Sequence, residues 1–279
     1  MNSDHTSAAR ELLAFYGEAG VDAAVGEAPN DYLSAPEPAA SPVLSTANVT
    51  SPAVSQNGNG SLTARAFDRI PSNGTAAPPT PDSAVIAARE AARSAKNLDE
   101  LRAILERFDG CALKATATQL VFADGNPQGR VMFIGEAPGY EEDKQGLPFV
   151  GRSGKLLDLM LHSIGLDRTK VYIANIVPWR PPGNRTPTPQ ESAICLPFMA
   201  RQIALCDPDV LVCMGGPSAQ TVLGIKEGIM KARGRWLKYN TGEREIRAMP
   251  TLHPAYLLRS PIAKRLAWRD FLAIKKALS

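Results

Sequence analysis

Residues 131–139 read VMFIGEAPG, four apolar residues that run into a loop with two glycines and a proline. A short apolar run bounded by glycine is typical of a strand buried on both faces of a parallel sheet. Further runs rich in apolar residues, at 171–177, 210–214 and 246–249, predict three more strands. The stretch therefore predicts the first strand of an α/β domain, with a polar loop at its carboxyl end.

Helical patterns separate these predicted strands. Residues 154–164 carry apolar side chains at helical spacing and stop before Gly165. Residues 188–191, TPQE, form a capping box with proline at the first helical position, which predicts a helix toward Cys206. Further helices are predicted at 83–108, 216–223 and 263–278. This alternation predicts a three-layer α/β/α fold with a central, mostly parallel four-stranded sheet.

The first 83 residues of the 279-residue chain differ in composition from the rest. Residues 34–81 consist largely of Ala, Ser, Pro, Asn and Gly, with too few apolar residues to offset the entropy lost on ordering. Residues 8–25 predict one short amphipathic helix, which could dock on the domain or bind a partner protein. We therefore expect a disordered tail with one helix at 1–83 and a folded domain at 84–279.

The net charge of +3 combines two regions of opposite sign. Residues 1–83 contain three basic and nine acidic residues, whereas residues 84–279 contain 28 basic and 19 acidic residues. The folded domain is therefore clearly basic. Such an excess suits a polyanionic partner, although an ordinary basic soluble domain would show the same balance.

The chain contains no run of about 18 apolar residues and no leader with a basic and then an apolar segment. We therefore expect a cytoplasmic protein with no membrane contact, and we expect it to be a monomer. The cysteines are Cys111, Cys195, Cys206 and Cys213, with no CxxC among them. In such a chain free thiols or metal ligands are favoured over disulfides.

Polar motifs follow the predicted strands along the chain. They are GEAPG at 135–139, GLPFVG at 146–151, Asn175, RPPGNR at 180–185 and HPAYLLR at 253–259. Because ligands of open parallel sheets bind beyond the carboxyl ends of the strands, we expect these segments to converge on one cleft.

In order and approximate spacing these motifs resemble family 4 of the uracil-DNA glycosylase superfamily, over about residues 108–275. The resemblance implies a DNA-repair enzyme that hydrolyses the N-glycosidic bond of uracil and leaves an abasic site, with other deaminated bases left open as substrates. The alternative is a non-catalytic DNA-binding or polymerase-associated module of the same fold, against which the presence of both Glu136 and His253 argues. A nucleotide enzyme that cradles phosphate is disfavoured because no P-loop and no GxGxxG follows a strand.

Three residues carry the implied chemistry, in which the sugar becomes positive and the departing base negative. By the resemblance, His253 donates a hydrogen bond to a uracil carbonyl oxygen. Glu136 or Glu142 positions or activates the water, and their negative charge favours the sugar cation. Without the resemblance, Glu136 would be a loop carboxylate bound by amides and His253 a loop histidine before a proline.

The resemblance also implies the residues that bind the base. Phe149 stacks on the flipped base, and Asn175 matches the uracil O4 and N3–H. The other implied substrate-binding residues are Ala137 and Gly139. A tyrosine that blocks thymine in some superfamily members aligns with Gly139, so exclusion of thymine falls to Glu142 or Tyr140. Taken singly, Phe149 could be a core aromatic and Asn175 a turn former.

The remaining implied contacts are to the DNA strand, and DNA containing uracil is the expected partner. Leu257 and Leu258 could enter the space left by the base, or pack in the core at the start of a helix. Arg185 and Arg259, with Asn184, are expected to contact the strand.

Typical members of this family hold a four-iron cluster with four cysteines. The corresponding positions here are Phe108, Cys111, Trp179 and Cys195, so two of the four ligands are replaced by aromatic residues. The large rings could fill the vacated volume. We therefore predict no iron–sulfur cluster, no other metal and no cofactor.

Overall fold

The computed structural model describes residues 81–279. The expected tail and its helix at 8–25 lie outside the described residues, and the expected boundary at 84 falls inside the first described helix, α1 (Pro81–Ser94). A second helix, α2 (Leu98–Arg107), follows at once. Asn97 separates the two because its side chain accepts the N–H of Glu100 at 2.8 Å and so caps a new helix. The single helix predicted at 83–108 is therefore two helices.

Beyond α2 the chain alternates strands and helices. The strands are β1 (Asp124–Gly125), β2 (Val131–Gly135), β3 (Val171–Asn175), β4 (Val210–Met214), β5 (Leu237–Asn240) and β6 (Glu245–Thr251). The helices are α3 (Tyr140–Gln145), α4 (Arg152–Ser163), α5 (Pro189–Cys206), α6 (Gly216–Leu223), α7 (Ile229–Ala232), α8 (Pro254–Arg259) and α9 (Lys264–Leu278). Short 3-10 turns occupy Ala112–Ala115, Pro182–Asn184 and Pro261–Ala263.

The strands of the described part form a six-stranded sheet in the order β1-β3-β2-β4-β6-β5. The four central strands, β3, β2, β4 and β6, are parallel and are the four that the sequence predicts. Antiparallel edge strands extend the sheet on both sides. The sequence does not reveal them, because β1 has two residues and β5 alternates between half-buried and exposed positions. The fold class is confirmed, with six strands rather than four.

Alternate residues of β2 face opposite layers of the molecule. Met132 and Ile134 belong to a core cluster shared with α1, α2, α5 and α6. Phe133 belongs to a second cluster with Leu157 of α4 and Phe271 of α9, and the rings of Phe133 and Phe271 stack with centroids 5.8 Å apart. Helices therefore cover both faces of the sheet, which is why β2 is buried at every position.

The strand register determines where the site lies. Gly135 at the end of β2 pairs with Asn175 at the end of β3. Met214 at the end of β4 pairs with Thr251 at the end of β6, two residues before His253. The loops after these strands consequently leave from the same edge of the sheet. None of the described helices is long and apolar enough to cross a membrane.

Candidate active site

Two cavities with a common wall lie at this edge of the sheet. The inner cavity, of about 170 Å³, is lined by Ala137, Gly139, Glu142, Phe149, Ser153, Asn175 and His253. The outer groove, of about 470 Å³, has in its lining Glu136, Ala137, Gly139, Asn184, Arg185, Tyr256, His253 and Arg259. Ala137, Gly139 and His253 belong to both linings, so the cavities adjoin. The two linings bring together all the predicted site residues except two leucines.

Those two residues, Leu257 and Leu258, have different environments on α8. Leu257 is 1% exposed and packs in a small core cluster with Leu252, Ala263 and Ala267. Leu258 is 36% exposed. The side chains of neighbouring helix residues point about 100° apart. Because Leu257 points into the core, Leu258 points toward the surface. Core packing, the alternative that the sequence left open, describes Leu257, and only Leu258 is available to a DNA strand.

Glu142 organises the loop that follows β2. Its side chain is buried and accepts hydrogen bonds from the backbone N–H groups of Gly139 at 3.1 Å, Val150 at 3.0 Å and Gly151 at 2.9 Å. One carboxylate thereby ties the start of α3 to the start of α4. Both of its oxygens are engaged by amides, which suits a residue that holds the loop in place.

Glu136 is in the opposite situation. Its Oε1 atom is buried and accepts no hydrogen bond from the described residues. Burial raises the pKa of this carboxyl above its ordinary value, because the charged form loses hydration. A carboxylate with a spare acceptor on the wall of a groove can hold a water molecule or accept its proton.

His253 precedes α8 and caps it. Its Nδ1 atom accepts the backbone N–H of Ala255 at 3.1 Å, so the proton of the neutral ring lies on Nε2. Burial, assisted by the positive charge of Arg259, lowers the pKa of His253 to about 4, against a smaller opposing effect of Glu142. Near neutral pH the ring is therefore uncharged and offers one N–H donor.

Phe149 lies against His253, with ring centroids 5.4 Å apart and planes tilted by 31°. Its backbone has a φ of 55°, in the left-handed region. Such a conformation costs a non-glycine residue about 1–3 kcal/mol, so surrounding contacts must hold it. Gly154 leaves room for it, because a Cβ atom there would overlap the carbonyl group of Phe149.

Arg168 supplies those contacts from the loop between α4 and β3. Its guanidinium donates to the carbonyl oxygen of Phe149 and, at 3.1 Å, to that of Pro148. The same group pairs with Asp124 at 2.5 Å and Asp158 at 2.8 Å, and only about a quarter of its side chain is exposed. The guanidinium therefore holds the backbone beneath the Phe149 ring while its charge is balanced by two carboxylates.

The side chains of Asn175 and Phe149 both pack against Gly135. A Cβ atom at Gly135 would overlap Oδ1 of Asn175 and would lie 2.6 Å from Cζ of Phe149. Asn175 is 3% exposed, and its Oδ1 atom has no hydrogen-bond partner within residues 81–279. A buried acceptor without a partner costs about 1–3 kcal/mol, which makes this atom a position for a donor on a ligand.

The outer groove is bordered by polar and basic side chains. Arg185 donates two hydrogen bonds to Glu191, at 2.7 and 2.8 Å, which raises the pKa of the guanidinium and lowers that of the carboxyl. Asn184 accepts from Nε of Arg180 at 2.7 Å. Arg259 lies near enough to His253 for its charge to affect the imidazole. The border therefore holds positive charge beside a neutral donor.

Ser153, Tyr256 and Arg168 are among the site residues that the sequence did not reveal, as are Thr186, Pro187 and Met214 of the outer groove. Ser153 lines the inner cavity and Tyr256 the outer groove. Their signal was their place within or just beyond the GLPFVG and HPAYLLR motifs. Arg168 had no signal, since it acts through backbone carbonyl groups of a segment 19 residues earlier.

The four cysteines of the described part are free and buried. The Sγ atoms of Cys111 and Cys195 lie 3.9 Å apart. Hydrogen bonding to Cys195 lowers the pKa of Cys111, while the same contact and then burial raise that of Cys195. Trp179 is 2% exposed in the same core cluster, and Phe108 packs there with its ring centroid 5.0 Å from that of Phe198.

This arrangement does not fit a four-iron cluster, which requires four thiolate or equivalent ligands. Two thiols and two aromatic rings occupy the corresponding positions, and the rings are packed into the core. Among the described residues no group of three or more His, Cys, Asp or Glu side chains is arranged to hold a metal ion.

Comparison with known proteins agrees with the geometry. A sequence profile described as the Uracil DNA glycosylase superfamily matches residues 122–272. The type-4 uracil-DNA glycosylase of Thermotoga maritima is 44% identical over 157 residues, 56% of this chain and 80% of that protein. That of Sulfurisphaera tokodaii is 39% identical over 188 residues, 64% of this chain and 85% of that protein. The profile spans more than half of the chain, and we conclude that the chain belongs to the uracil-DNA glycosylase superfamily.

Proposed function

We propose that this protein hydrolyses the N-glycosidic bond of uracil in DNA and leaves an abasic site. One observation carries the proposal. Glu136 and Asn175 each have a buried oxygen that lacks a hydrogen-bond partner among the described residues. Glu136 lines the outer groove, Asn175 lines the inner cavity, and the neutral N–H donor of His253 lines both. The relatives named above as type-4 uracil-DNA glycosylases support the same activity.

In this proposal the inner cavity receives the extruded base. The uracil ring stacks on Phe149, a contact worth about 1–3 kcal/mol for an aromatic side chain and a base. Oδ1 of Asn175 accepts the N3–H of uracil, and the amide nitrogen donates to O4. Cytosine presents an acceptor at N3 and a donor at N4, so the same carboxamide orientation opposes it. The unpartnered Oδ1 atom supports this assignment.

The bond cleavage then uses His253 and Glu136. The C1′–N1 bond breaks with its electron pair on the base, and Nε2–H of His253 donates to the carbonyl oxygen where negative charge develops. Glu136 orients a water molecule whose oxygen bonds to C1′, and it accepts the proton that the water loses. The unpartnered oxygen and the raised pKa of Glu136 support its role as the base.

We propose that Glu142 does not activate the water and has a different role. It lines the inner cavity, and its carboxylate is held by three backbone amides. We propose that this fixed carboxylate excludes the 5-methyl group of thymine. Tyr140, the other residue considered for thymine exclusion, is 46% exposed and is not among the residues that line the inner cavity.

The DNA strand is proposed to follow the outer groove. Arg259 and Asn184 contact phosphate groups there, and Leu258 on α8 enters the space left by the base. Arg185 contributes less charge than the sequence suggested, because Glu191 already holds its guanidinium. Leu257 is left out of the DNA contacts because it is buried in the core.

Three further elements belong to the proposal. The protein works without an iron–sulfur cluster, for which the packing of Trp179 and Phe108 beside two thiols is the support. Residues 84–279 form the catalytic domain in this proposal. A variant that lacks residues 1–83 should therefore keep most of the excision activity.

We also expect a cytoplasmic monomer. Sedimentation would test the oligomeric state, and cell fractionation would test the location.

The experiment for the main proposal is cleavage of a labelled oligonucleotide that contains a single uracil. Matched oligonucleotides carry hypoxanthine, a thymine mismatch or no lesion, and the iron content of the protein is assayed alongside. Abasic sites that depend on uracil and form in iron-free protein are the expected result. Tight DNA binding with no excision would instead favour the non-catalytic module.

A further inference from the structure

We propose that Tyr140, with Lys144 and Arg180, forms a stacking site for the nucleobase next to the excised uracil. This inference rests on the proposed function and adds a second point of base recognition to it. Tyr140 is the first residue of α3 and directly follows Gly139, which lines both cavities. The ring therefore stands one residue from the wall of the inner cavity.

The ring is exposed although it is large and aromatic. Tyr140 has 46% of its surface exposed, in contrast to Phe149 at 4%. Its backbone is fixed by the loop geometry, because Glu142 binds the N–H of Gly139. A tyrosine has only two side-chain torsions, so stacking on its ring costs little side-chain entropy, and the fixed backbone adds no further cost.

The charged groups of two cations lie over this ring. Nζ of Lys144 is 4.5 Å and Cζ of Arg180 is 4.9 Å from the ring centroid. Arg180 also donates to Asn184, and its neighbour Pro181 lines the outer groove. The stacking site consequently continues the path along which the DNA strand is proposed to run. Lys144 is exposed, so a base that stacks on the ring can displace its ammonium group, which then turns toward a phosphate.

A neighbouring base is the occupant that this position favours. Extrusion of a nucleotide deprives each flanking base of one stacking partner, and that lost stacking is part of the cost of base flipping. An exposed tyrosine ring beside the receiving cavity can replace one of those partners. The positive charges of Lys144 and Arg180 suit the phosphates on either side of the base.

The test combines protein variants with DNA variants. Tyr140→Ala, Tyr140→Leu and Tyr140→Phe are assayed for excision and, by fluorescence anisotropy, for binding of uracil-containing oligonucleotides. Each oligonucleotide is made with ordinary bases beside the uracil and with a base-free tetrahydrofuran residue on the 5′ or the 3′ side. Trp236→Ala is the matched control, because Trp236 is 38% exposed, has Arg247 at 5.7 Å from its ring, and is not among the residues of either cavity lining.

We expect Tyr140→Ala and Tyr140→Leu to lower kcat/KM about five- to a hundredfold on ordinary DNA, as loss of one base–aromatic stack predicts. This loss of kcat/KM should disappear on one of the two base-free oligonucleotides, the one that lacks the base which stacks on Tyr140. Tyr140→Phe and Trp236→Ala should have the kcat/KM of the parent protein. Equal losses on base-bearing and base-free DNA, or no loss at all, would overturn the stacking site.

The same experiment separates this inference from the proposed function. Parent protein that binds the oligonucleotides and excises no uracil would refute the glycosylase activity. The anisotropy measurements would then decide the stacking site by themselves, through the same comparison of base-bearing and base-free neighbours.

Discussion

The guanidinium of Arg168 donates a hydrogen bond to the carbonyl oxygen of Phe149, 19 residues earlier in the chain. A positive φ angle at Phe149 and the glycine at 154 complete this arrangement. The ring proposed to stack on uracil therefore takes its position from a cation outside the cavity.

Arg168→Lys should reduce both stability and excision. A lysine keeps the charge between Asp124 and Asp158 but cannot reproduce the several directed donors of a guanidinium. We expect a loss of about 1.5–3 kcal/mol in the free energy of unfolding, typical of hydrogen bonds from a charged group. Excision should fall about tenfold or more because the ring is misplaced. Chemical denaturation and excision kinetics measure the two effects.

Arg102→Lys provides the matched control, since Arg102 pairs with Glu106 at 3.1 Å on an exposed helix surface. Exposed pairs contribute about 0–1 kcal/mol, so this variant should resemble the parent protein. Equal behaviour of the two lysine variants would contradict the role given to Arg168.

Glu136→Gln and Glu142→Gln should separate chemistry from loop structure. Glu136→Gln should lower excision by about 10²–10⁴-fold, the usual contribution of a general base, without loss of stability because it removes a buried charge. Glu142→Gln should lower the free energy of unfolding by about 1–3 kcal/mol, since three amides lose a charged acceptor. Unfolding and excision are measured on the same preparations, and the reverse pattern would exchange the two roles.

His253→Ala should lower excision about 10²–10³-fold, the loss seen when one donor to a developing anion is removed. Binding of uracil-containing DNA should persist, because the groove and the stacking ring remain. Gel shift and single-turnover excision give the two values. Parallel loss of binding and excision would indicate misfolding rather than loss of a catalytic donor.

Acid should inactivate the protein through Glu136 before it affects His253. Activity requires an ionised Glu136, whose pKa is raised, and a neutral His253, whose pKa is about 4. As the pH falls, the rate should therefore decline first with the titration of Glu136. The opposite result would be a pH–rate profile in which the rate declines near pH 6.5 and in which this decline is absent from His253→Gln. It would show that the histidine titrates as an ordinary imidazole.

The same histidine should make stability depend on pH. Its folded-state pKa of about 4 lies below the ordinary value of 6.5, so the unfolded chain binds the proton first. The contribution is complete above pH 6.5 and is lost as the pH falls through 4. Denaturation curves between pH 4 and 7 should show a smaller decline in His253→Gln than in the parent protein.

Purified protein should contain no stoichiometric iron or acid-labile sulfide, and treatment with a chelator should leave excision unchanged. Trp179 and Phe108 stand where two ligands would be needed, and Trp179 is buried. Elemental analysis of protein purified without oxygen measures this. Four iron atoms per chain would contradict it.

The four central strands could be predicted because each is an apolar run followed by a distinctive loop. Asn97 shows why helix boundaries were harder: one capping side chain splits a continuous helical pattern into two helices. The edge strands carried no such pattern, because pairing to a neighbour and not burial makes them strands.

Within the site, the motifs identified the residues that line the cavities, but not the work of each carboxylate. Glu136 and Glu142 are alike in sequence, and only their hydrogen-bond partners distinguish them. Whether the side chain of Leu257 points into the core depends on where α8 begins. The helix begins at Pro254, directly after its N-cap residue His253. Arg168 belongs to no motif, and its role emerges only from the packing.

The pairing of Gly135 with Asn175 joins a residue of the inner cavity lining, Asn175, to the parallel ladder between β2 and β3. The N–H of Ile176, the next residue, donates to the carbonyl oxygen of Gly135 at 3.1 Å. Both strands are buried at every position, so separating them requires opening the core, and their amide hydrogens should exchange only with global unfolding. Under the proposed function, the inner cavity would keep its shape when a nucleotide enters, and the DNA would have to undergo most of the deformation.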